Sequence, residues 1–388
     1  MVQRGDASES EQRPAAQVVA GASNLMRALA RDSDTSVRAA AAANPGTPVV
    51  LLTQLAHDQK MDVRERVARN PGAPVELLRG LAADSSECVR DAVAENPGTP
   101  EDLLREFAAG NRAVDIGGRF GVARNPSAPV DLLRRLATGA AARYVAENPR
   151  TPVDLLGRYV TDEDKYVRVG LARNSATPVE LLRRLAVDTS WMVLEAVAAN
   201  PATPGESVAG LAAHLHPWVR AEVAGHRSTS ADQLRLFGSD HDEFVRTNAG
   251  LNERTPVEVL HTLASDQSGR VRGAVAGNPA APASLLRYLA ADTEACVREY
   301  LALNPVAPMD VRDRLAGDED RVVRAAVAVC PITPLNLLAR LATDEDRGVR
   351  AAVARNEGVG LADTRPIAST LEPCRPRIRV HGAQRFPG

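Results

Sequence analysis

The sequence predicts an all-α protein: a right-handed α-solenoid of about thirteen repeats of 26 residues, each built from two helices. Three observations predict this class, namely a recurring asparagine, prolines in register and a core poor in aromatic residues. Of the 388 residues, 44% are hydrophobic but only 3% are aromatic. The core must therefore consist of Ala, Val and Leu, because aromatic side chains supply much of an ordinary globular core. Short units of this kind bury their apolar faces against neighbouring copies.

Each repeat can be indexed by one anchor residue, which is usually asparagine. Ten of the twelve steps between anchors are 26 residues long, and one step of 29 residues is followed by one of 23. The anchors are Asn44, Asn70, Asn96, Asn125, Asn148, Asn174, Asn200, His226, Asn252, Asn278, Asn304, Cys330 and Asn356. This register predicts one uninterrupted solenoid over residues 24–358, between disordered tails at 1–23 and 359–388.

Two helices are predicted in every repeat. In the first helix, valines such as Val63 and Val67 lie four positions apart on one face. This helix ends where a proline follows the anchor, as after Asn70, because proline cannot continue a helix. The second helix is predicted to begin at Thr-Pro, with the threonine as N-cap. At Thr255, the acid three residues later, Glu258, predicts a capping box.

The phrase Val-Arg-x-x-Val-Ala-x-Asn-Pro-x-Thr-Pro-x-x-Leu-Leu-x-x-Leu-Ala-x-Asp resembles the leucine-rich repeat variant, a bacterial α-solenoid family. It is also similar to the longer HEAT repeat. The resemblance covers roughly residues 24–358, and it implies a solenoid fold and a recognition role but no reaction. One branch of that family holds an iron–sulfur centre in an N-terminal cysteine cluster. Residues 1–36 contain no cysteine, so we expect no such cofactor.

Composition narrows the classes of function. The 47 basic and 49 acidic residues nearly cancel, whereas nucleic-acid-binding domains are usually basic. No apolar run approaches the ~20 residues of a membrane span. The four cysteines lie far apart and no secretory signal is visible, so we expect a cytoplasmic protein. No catalytic or nucleotide-binding motif occurs, which argues against an enzyme.

One arginine column and one aspartate column alternate along the repeats. We interpret them as a ladder of ion pairs between adjacent repeats, since the planar guanidinium matches a carboxylate. A phosphate-binding track is the alternative. The arginines are Arg38, Arg64, Arg90, Arg119, Arg168, Arg220, Arg246, Arg272, Arg298, Arg324 and Arg350, and the aspartates are Asp58, Asp84, Asp162, Asp188, Asp240, Asp266, Asp292, Asp318 and Asp344.

A second arginine column follows the leucine pair of the second helices. It comprises Arg79, Arg105, Arg134, Arg183, Arg235 and Arg287. One interpretation is a solvated face balanced by Glu76, Asp131 and Glu180 one turn earlier. The alternative is a basic stripe that binds an acidic partner.

The consensus fails between residues 166 and 261, where five of the seven histidines lie. Bulky side chains occupy the position before the Val-Arg pair in four successive repeats, and equivalent positions align in a solenoid. We predict a partner-binding site there, because exposed aromatic stripes mark interfaces; packing into the groove between repeats is the alternative. The predicted residues are Tyr166, Trp191, Met192, Leu194, His214, His216, Trp218, His226, His241 and Phe244.

These observations favour a non-catalytic scaffold that binds a protein or peptide on its repeat surface. Two alternatives stay open: a HEAT-like nucleic-acid binder with the architecture of some DNA glycosylases, and an enzyme or small-molecule binder using the His-rich centre. The histidine spacing matches no zinc pattern, so no metal is predicted. Residues 110–119 gain three glycines and predict a kink or a functional loop.

Overall fold

A computed structural model describes residues 35–109 and 116–346, together with residues 27, 30, 31, 348, 349, 352, 353 and 356. The predicted tails at 1–23 and 359–388 lie outside these residues, and so does the glycine-containing segment 110–115. A helix begins directly after that segment, at Ile116. The chain divides after Leu181 into two compact units.

In the first unit, nine-residue and seven-residue helices alternate. The helices are α1 (Thr35–Ala43), α2 (Val49–Leu55), α3 (Met61–Arg69), α4 (Val75–Leu81), α5 (Glu87–Glu95), α6 (Glu101–Ala109), α7 (Ile116–Arg124), α8 (Val130–Arg135), α9 (Ala142–Glu147), α10 (Val153–Tyr159) and α11 (Lys165–Arg173). A short 3₁₀ helix at Gly139–Ala141 precedes α9, in the 23-residue step. Helix α12 (Val179–Leu185) spans the division between the units.

The second unit repeats the same pair of elements six times. The helices are α13 (Trp191–Ala199), α14 (Gly205–Leu211), α15 (Pro217–Gly225), α16 (Ala231–Phe237), α17 (Glu243–Leu251), α18 (Val257–Leu263), α19 (Gly269–Gly277), α20 (Ala283–Leu289), α21 (Ala295–Leu303), α22 (Met309–Leu315), α23 (Arg321–Val329) and α24 (Leu335–Leu341). The described residues form these 24 helices and no strand, so the predicted all-α solenoid of two-helix repeats is confirmed. No helix in this part of the chain has the length and apolarity needed to cross a membrane.

Packing within each unit follows the repeat. Each first helix lies against the first helix of the next repeat, as α15 does against α17 and α17 against α19, and each second helix packs on its own repeat. Valines of the first helices, such as Val271 and Val275, are fully buried. The leucine that follows in the second helix, Leu286, is also fully buried. The core therefore consists of the aliphatic side chains that the sequence pattern predicts.

From Asn70 onward, the anchor asparagines are buried and form a hydrogen-bonded column, which we call the asparagine ladder. The amide Nδ2 of Asn70 donates to the carbonyl oxygens of Ala42 at 2.7 Å and Asn44 at 2.9 Å. Its Oδ1 accepts the backbone N–H of Gly72 at 2.8 Å. The side chain thus satisfies two carbonyls of the preceding repeat and one amide of its own turn. The same bonds recur at Asn96, Asn125, Asn148, Asn278 and Asn304.

One repeat replaces the ladder asparagine by two other residues. The anchor there is Cys330, whose thiol cannot donate two amide bonds. Arg312 from helix α22, only 2% exposed, supplies them instead. Its guanidinium donates to the carbonyls of Ala302 at 3.2 Å and Asn304 at 2.9 Å, and to the Cys330 sulfur at 3.2 Å. Arg312 takes a position that carries leucine in most repeats, so the two exceptions compensate for each other.

The predicted capping box at Thr255 is wrong. The Thr255 side chain is buried, and its hydroxyl donates to the carbonyl oxygen of Ala249, in the last turn of the preceding first helix, at 2.5 Å. Helix α18 begins after Pro256, which makes no side-chain capping bond. The threonine therefore closes the first helix rather than opening the second. A capping box does form at Ser230 and Gln233, where serine replaces the usual proline.

Close approach of the first helices requires glycine at Gly170. A methyl group built there would overlap the carbonyl oxygen of Arg143 on helix α9. Gly170→Ala should therefore lower the free energy of unfolding by about 1–3 kcal/mol, because overpacking forces the backbones apart. Gly157→Ala is the matched control, since a methyl group there meets nothing within 4 Å and alanine favours a helix. Urea unfolding measures both, and equal stability of the two variants would contradict the close approach.

Candidate binding surface

The predicted ion-pair ladder is confirmed at seven of the predicted arginines. Each of these seven side chains binds the ladder aspartate of the following loop. In one rung, Arg246 donates from Nε and Nη2 to the two carboxylate oxygens of Asp266, at 2.6 and 3.1 Å. Its Nη1 donates to the backbone carbonyl of Asp240 at 2.8 Å. The same carboxylate pairing joins Arg38–Asp58, Arg64–Asp84, Arg220–Asp240, Arg272–Asp292, Arg298–Asp318 and Arg324–Asp344.

Partial burial strengthens these pairs. Burial raises the pKa of the Asp266 carboxyl, but hydrogen bonds from Arg246 and from the N–H of Ser268 lower it more, so this pKa lies below its ordinary value. The Asp84 carboxyl has a lowered pKa chiefly because of its hydrogen bond with Arg64. Both charges of a rung are therefore fixed at neutral pH. This arginine column is a structural ladder in these rungs, and it supplies no basis for a phosphate track.

One rung of the ladder is replaced. Leu194 stands where the arginine should be and is 6% exposed, while His214 stands where the aspartate should be. The Nδ1 of His214 accepts the N–H of His216 at 3.0 Å, the bond that the Asp84 carboxylate accepts from Ser86 in another repeat. Leu194 is thus core, whereas the half-buried His214 keeps the loop-closing function of the aspartate and loses its charge.

The second arginine column consists of ion pairs, as the solvated-face interpretation expects, but the acids come mainly from the next repeat. Arg287, for example, binds Asp310 of the following second helix at 2.7 Å. The pKa of the Asp310 carboxyl is lowered chiefly by this hydrogen bond. The other pairs are Arg79–Asp102, Arg105–Asp131, Arg134–Asp154, Arg183–Glu206 and Arg235–Glu258. These arginines form a row of paired charges rather than a basic stripe.

His226 belongs to the asparagine ladder. It is 6% exposed; its Nε2 lies 3.3 Å from the carbonyl oxygen of Asn200, and its Nδ1 accepts the N–H of Ser228 at 3.1 Å. Burial and the nearby Arg227 lower the pKa of His226, opposed by the Asn200 bond. The neutral ring with a proton on Nε2 fits this environment. His226 therefore stabilises the repeat from within and presents no exposed surface.

Five predicted residues of the second unit do come together. We call Trp191, Met192, His216, Trp218 and Phe244 the aromatic ridge. The Trp191 and His216 rings stack with centroids 3.9 Å apart and planes 6° apart. The Trp218 and Phe244 rings lie 6.2 Å apart at 35°. Trp191 is 37% exposed, and the other four side chains are half-buried.

The ridge sits at the N-terminal ends of α13, α15 and α17, where the chain turns into each first helix. The N–H of Trp218 is accepted by the Nδ1 of His216 at 3.4 Å, and the N–H of Phe244 by the Asp242 carboxylate at 2.8 Å. Beside the ridge, the Leu215 side chain is 95% exposed. Capping bonds therefore hold large apolar side chains at a turn that projects into solvent.

Cations already lie over the aromatic rings. The guanidinium carbon of Arg270 is 5.2 Å from the centroid of the Phe244 ring. In the first unit, Tyr166 is 43% exposed and the Lys165 ammonium lies 5.2 Å from its ring centroid. His241 is exposed and does not belong to the aromatic ridge. Aromatic faces at this repeat position are thus accessible to positive charge.

One aromatic cluster was not predicted. In the first unit, the Phe120 and Tyr144 rings lie 5.2 Å apart, and the guanidinium carbons of Arg124 and Arg143 lie 3.8 and 4.5 Å from the Tyr144 centroid. Tyr144 occupies a position where most other repeats carry Ala or Gly. The size of this residue was visible in the sequence, but the contacts of its ring with Phe120 and two arginines were not.

The fold and the ladders define an α-solenoid repeat protein. The chain is similar to a solved leucine-rich repeat variant described as having a novel repetitive structural motif, with 26% identity over 58% of this chain and 85% of that one and a TM-score of 0.35. An engineered protein is 17% identical over 87% and 98%, with a TM-score of 0.22. Computationally designed armadillo repeat proteins for modular peptide recognition are 12% identical over 86% and 98%, with a TM-score of 0.10. No protein-family model and no curated protein matches.

Proposed function

We propose that the protein is a non-catalytic scaffold that binds an extended peptide or protein segment along the aromatic ridge. The observation that carries this proposal is the grouping of Met192, Trp218 and Phe244 on consecutive repeats, partly exposed and next to Trp191. Most other repeats carry small or polar residues at the same position. Aromatic side chains that keep exposed faces are favourable anchors for a partner.

The charge around the ridge favours a cationic partner. Residues 191–199, 214–225 and 239–251 contain five carboxylates and two arginines, and the Arg270 guanidinium also lies over the Phe244 ring. Both arginines, Arg220 and Arg246, are already bound to the ladder carboxylates of Asp240 and Asp266. An arginine or lysine side chain placed on the ridge would meet aromatic faces and a local excess of negative charge.

The repeat spacing sets the register of such a peptide. Packed neighbouring helices lie about 8–10 Å apart, and an extended chain in the polyproline II conformation has three residues per turn and advances about 3.1 Å per residue. Every third residue of an extended peptide therefore faces successive ridge positions at Met192, Trp218 and Phe244. We expect cationic or apolar side chains at that spacing.

The nucleic-acid alternative needs a surface of available cations. The arginines of both columns whose pairs are given above are bound to carboxylates, so no observation favours that function. No observation favours an enzyme either. The ring nitrogens His214 Nδ1 and His216 Nδ1 accept backbone N–H bonds of their own loop. We therefore propose the binding scaffold alone.

Selection from a displayed random peptide library tests the proposal. The full chain should enrich peptides whose dissociation constant rises about 30-fold or more in a Trp218→Ala/Phe244→Ala variant, since anchor residues contribute about 2 kcal/mol or more. The variant should keep its helical circular dichroism and melting temperature. Tyr288→Ala is the matched control, because Tyr288 is an aromatic residue 61% exposed on a second helix.

The outcomes separate the two parts of the proposal. Enriched peptides that need the ridge but carry no positive charge would overturn the partner chemistry and leave the scaffold function standing. Peptides that bind wild type and the double variant equally would overturn the ridge as the site. Early melting of the double variant would show that these side chains are core.

A further inference from the structure

Three histidines in one repeat accept backbone N–H bonds through the same ring atom. His214 Nδ1 accepts the N–H of His216 at 3.0 Å, His216 Nδ1 accepts that of Trp218 at 3.4 Å, and His226 Nδ1 accepts that of Ser228 at 3.1 Å. Each bond spans two residues. Together they close the loop before α15 and the turn after it.

Other repeats make these bonds with side chains that do not titrate near neutral pH. The carboxylates of Asp84 and Asp242 accept the bonds equivalent to those of His214 and His216. The carboxamide of Asn252 accepts the bond equivalent to that of His226. Only in this described repeat are all three acceptors imidazole nitrogens.

Protonation reverses the role of each nitrogen. A neutral imidazole can accept at Nδ1, but an imidazolium donates at both nitrogens. A proton on Nδ1 would therefore face the backbone N–H and leave that donor without its acceptor. A histidine titrates in the range between pH 5 and 8 where aspartate and asparagine do not.

We propose that His216 and His226, beside the third acceptor His214, form a proton-binding site that destabilises this repeat as the pH falls from 7 to 5. The inference goes beyond the proposed binding function and does not depend on it. It rests on the three acceptor geometries and on their coincidence within residues 214–226.

The surroundings favour the neutral rings. Burial lowers the pKa of His216, as do His214 and Arg220, whereas Asp242 opposes the shift. Burial likewise lowers the pKa of His226. The charged groups on neighbouring elements include Asp188 of the preceding loop, Glu195 of α13, Arg220 and Glu222 of α15, Arg227 after it, and Asp240, His241 and Asp242 of the next loop.

The sign of the effect follows from these directions. A histidine whose folded pKa is lowered stays neutral in the folded state while the unfolded chain takes up a proton below about 6.5. Its contribution to stability is present above that pH and is lost as the pH falls toward the folded pKa. The ladder carboxylate of Asp240 has a lowered pKa, so it stays ionised between pH 7 and 5. The stability that this carboxylate contributes is lost only in a separate range, below about pH 4.

Proton uptake acts directly on the aromatic ridge. His216 both accepts the Trp218 N–H and stacks on Trp191. Both tryptophans of the chain thus contact this histidine. Tryptophan fluorescence therefore reports on the proton-binding repeat in the intact protein.

Urea unfolding of the full chain at pH 7.0 and 5.0, followed by tryptophan fluorescence, tests the proposal. The wild-type midpoint should fall on acidification. In a His214→Asn/His216→Asn/His226→Asn variant, whose amide oxygens accept the same bonds, the fall should shrink by more than half. A His57→Gln/His241→Gln/His261→Gln variant, in which the replaced histidines are exposed, should keep the whole fall.

The proposal is overturned if the asparagine variant keeps the wild-type fall, or if the exposed-histidine variant loses it. Should the triple asparagine variant fail to fold at pH 7.0, single His216→Asn and His226→Asn variants replace it. Each should reduce the fall, and an undiminished fall in both would overturn the proposal.

Discussion

Arg312→Leu should lower the free energy of unfolding by about 3 kcal/mol, although leucine is the usual residue at this position. The substitution removes the donors that satisfy the buried carbonyls of Ala302 and Asn304. Each buried carbonyl that loses its donor costs about 1–3 kcal/mol. Urea unfolding of the full chain measures the loss.

The matched double variant makes this prediction specific. Arg312→Leu with Cys330→Asn restores the asparagine ladder, because the new carboxamide can donate to the same two carbonyls. We expect the double variant to regain most of the lost stability. A double variant no more stable than Arg312→Leu alone would contradict the compensation between the two positions.

Arg272→Leu should also destabilise strongly, by about 3 kcal/mol. Arg272 binds the Asp292 carboxylate through two bonds, at 2.6 and 3.0 Å, and donates to the backbone carbonyl of Asp266 at 2.8 Å. Its removal leaves a carboxylate whose side chain is 8% exposed without its cation, and breaking such a pair costs several kcal/mol.

The natural replacement at Leu194 and His214 supplies the control. Arg272→Leu with Asp292→His copies that rung and removes the buried carboxylate, so that only the exposed Glu294 loses its bond with this arginine. It should be more stable than Arg272→Leu alone when both are unfolded in urea at pH 7.5. Arg272→Leu with the stability of wild type would show that the ladder contributes nothing.

Much of the fold could be predicted because it repeats. The proline after each anchor marks the end of the first helix, and the alternation of Arg and Asp columns marks the ladder. Both signals are local sequence patterns that recur at a fixed period. A feature that occurs once per repeat is visible in the sequence even when its atoms join different repeats.

The asparagine ladder was missed because the same signal has two explanations. Asn70 before a proline predicts a helix end, and it is one, but its buried amide also binds two carbonyls of the preceding repeat. The prediction at Thr255 was wrong for a similar reason, since a threonine before a proline fits an N-cap as well as it fits the end of the preceding helix. Only the direction of the side chain distinguishes the two explanations, and burial determines that direction.

Compensating exceptions are the least predictable. Nothing local connects Arg312 with Cys330, which are 18 residues apart, or Leu194 with His214. For the same reason, the sequence did not distinguish the predicted site residues that replace ladder members from those that lie on the surface. His226 and Leu194 lie inside the repeat, whereas Trp191, Trp218 and Phe244 keep accessible faces.

Hydrogen–deuterium exchange of the full chain with a peptide enriched on wild type tests the scaffold proposal most directly. The account predicts new protection in residues 191–194, 214–220 and 240–246, and its loss in the Trp218→Ala/Phe244→Ala variant. Protection confined to the second helices, around Arg235 and Arg287, would contradict the aromatic ridge as the binding surface.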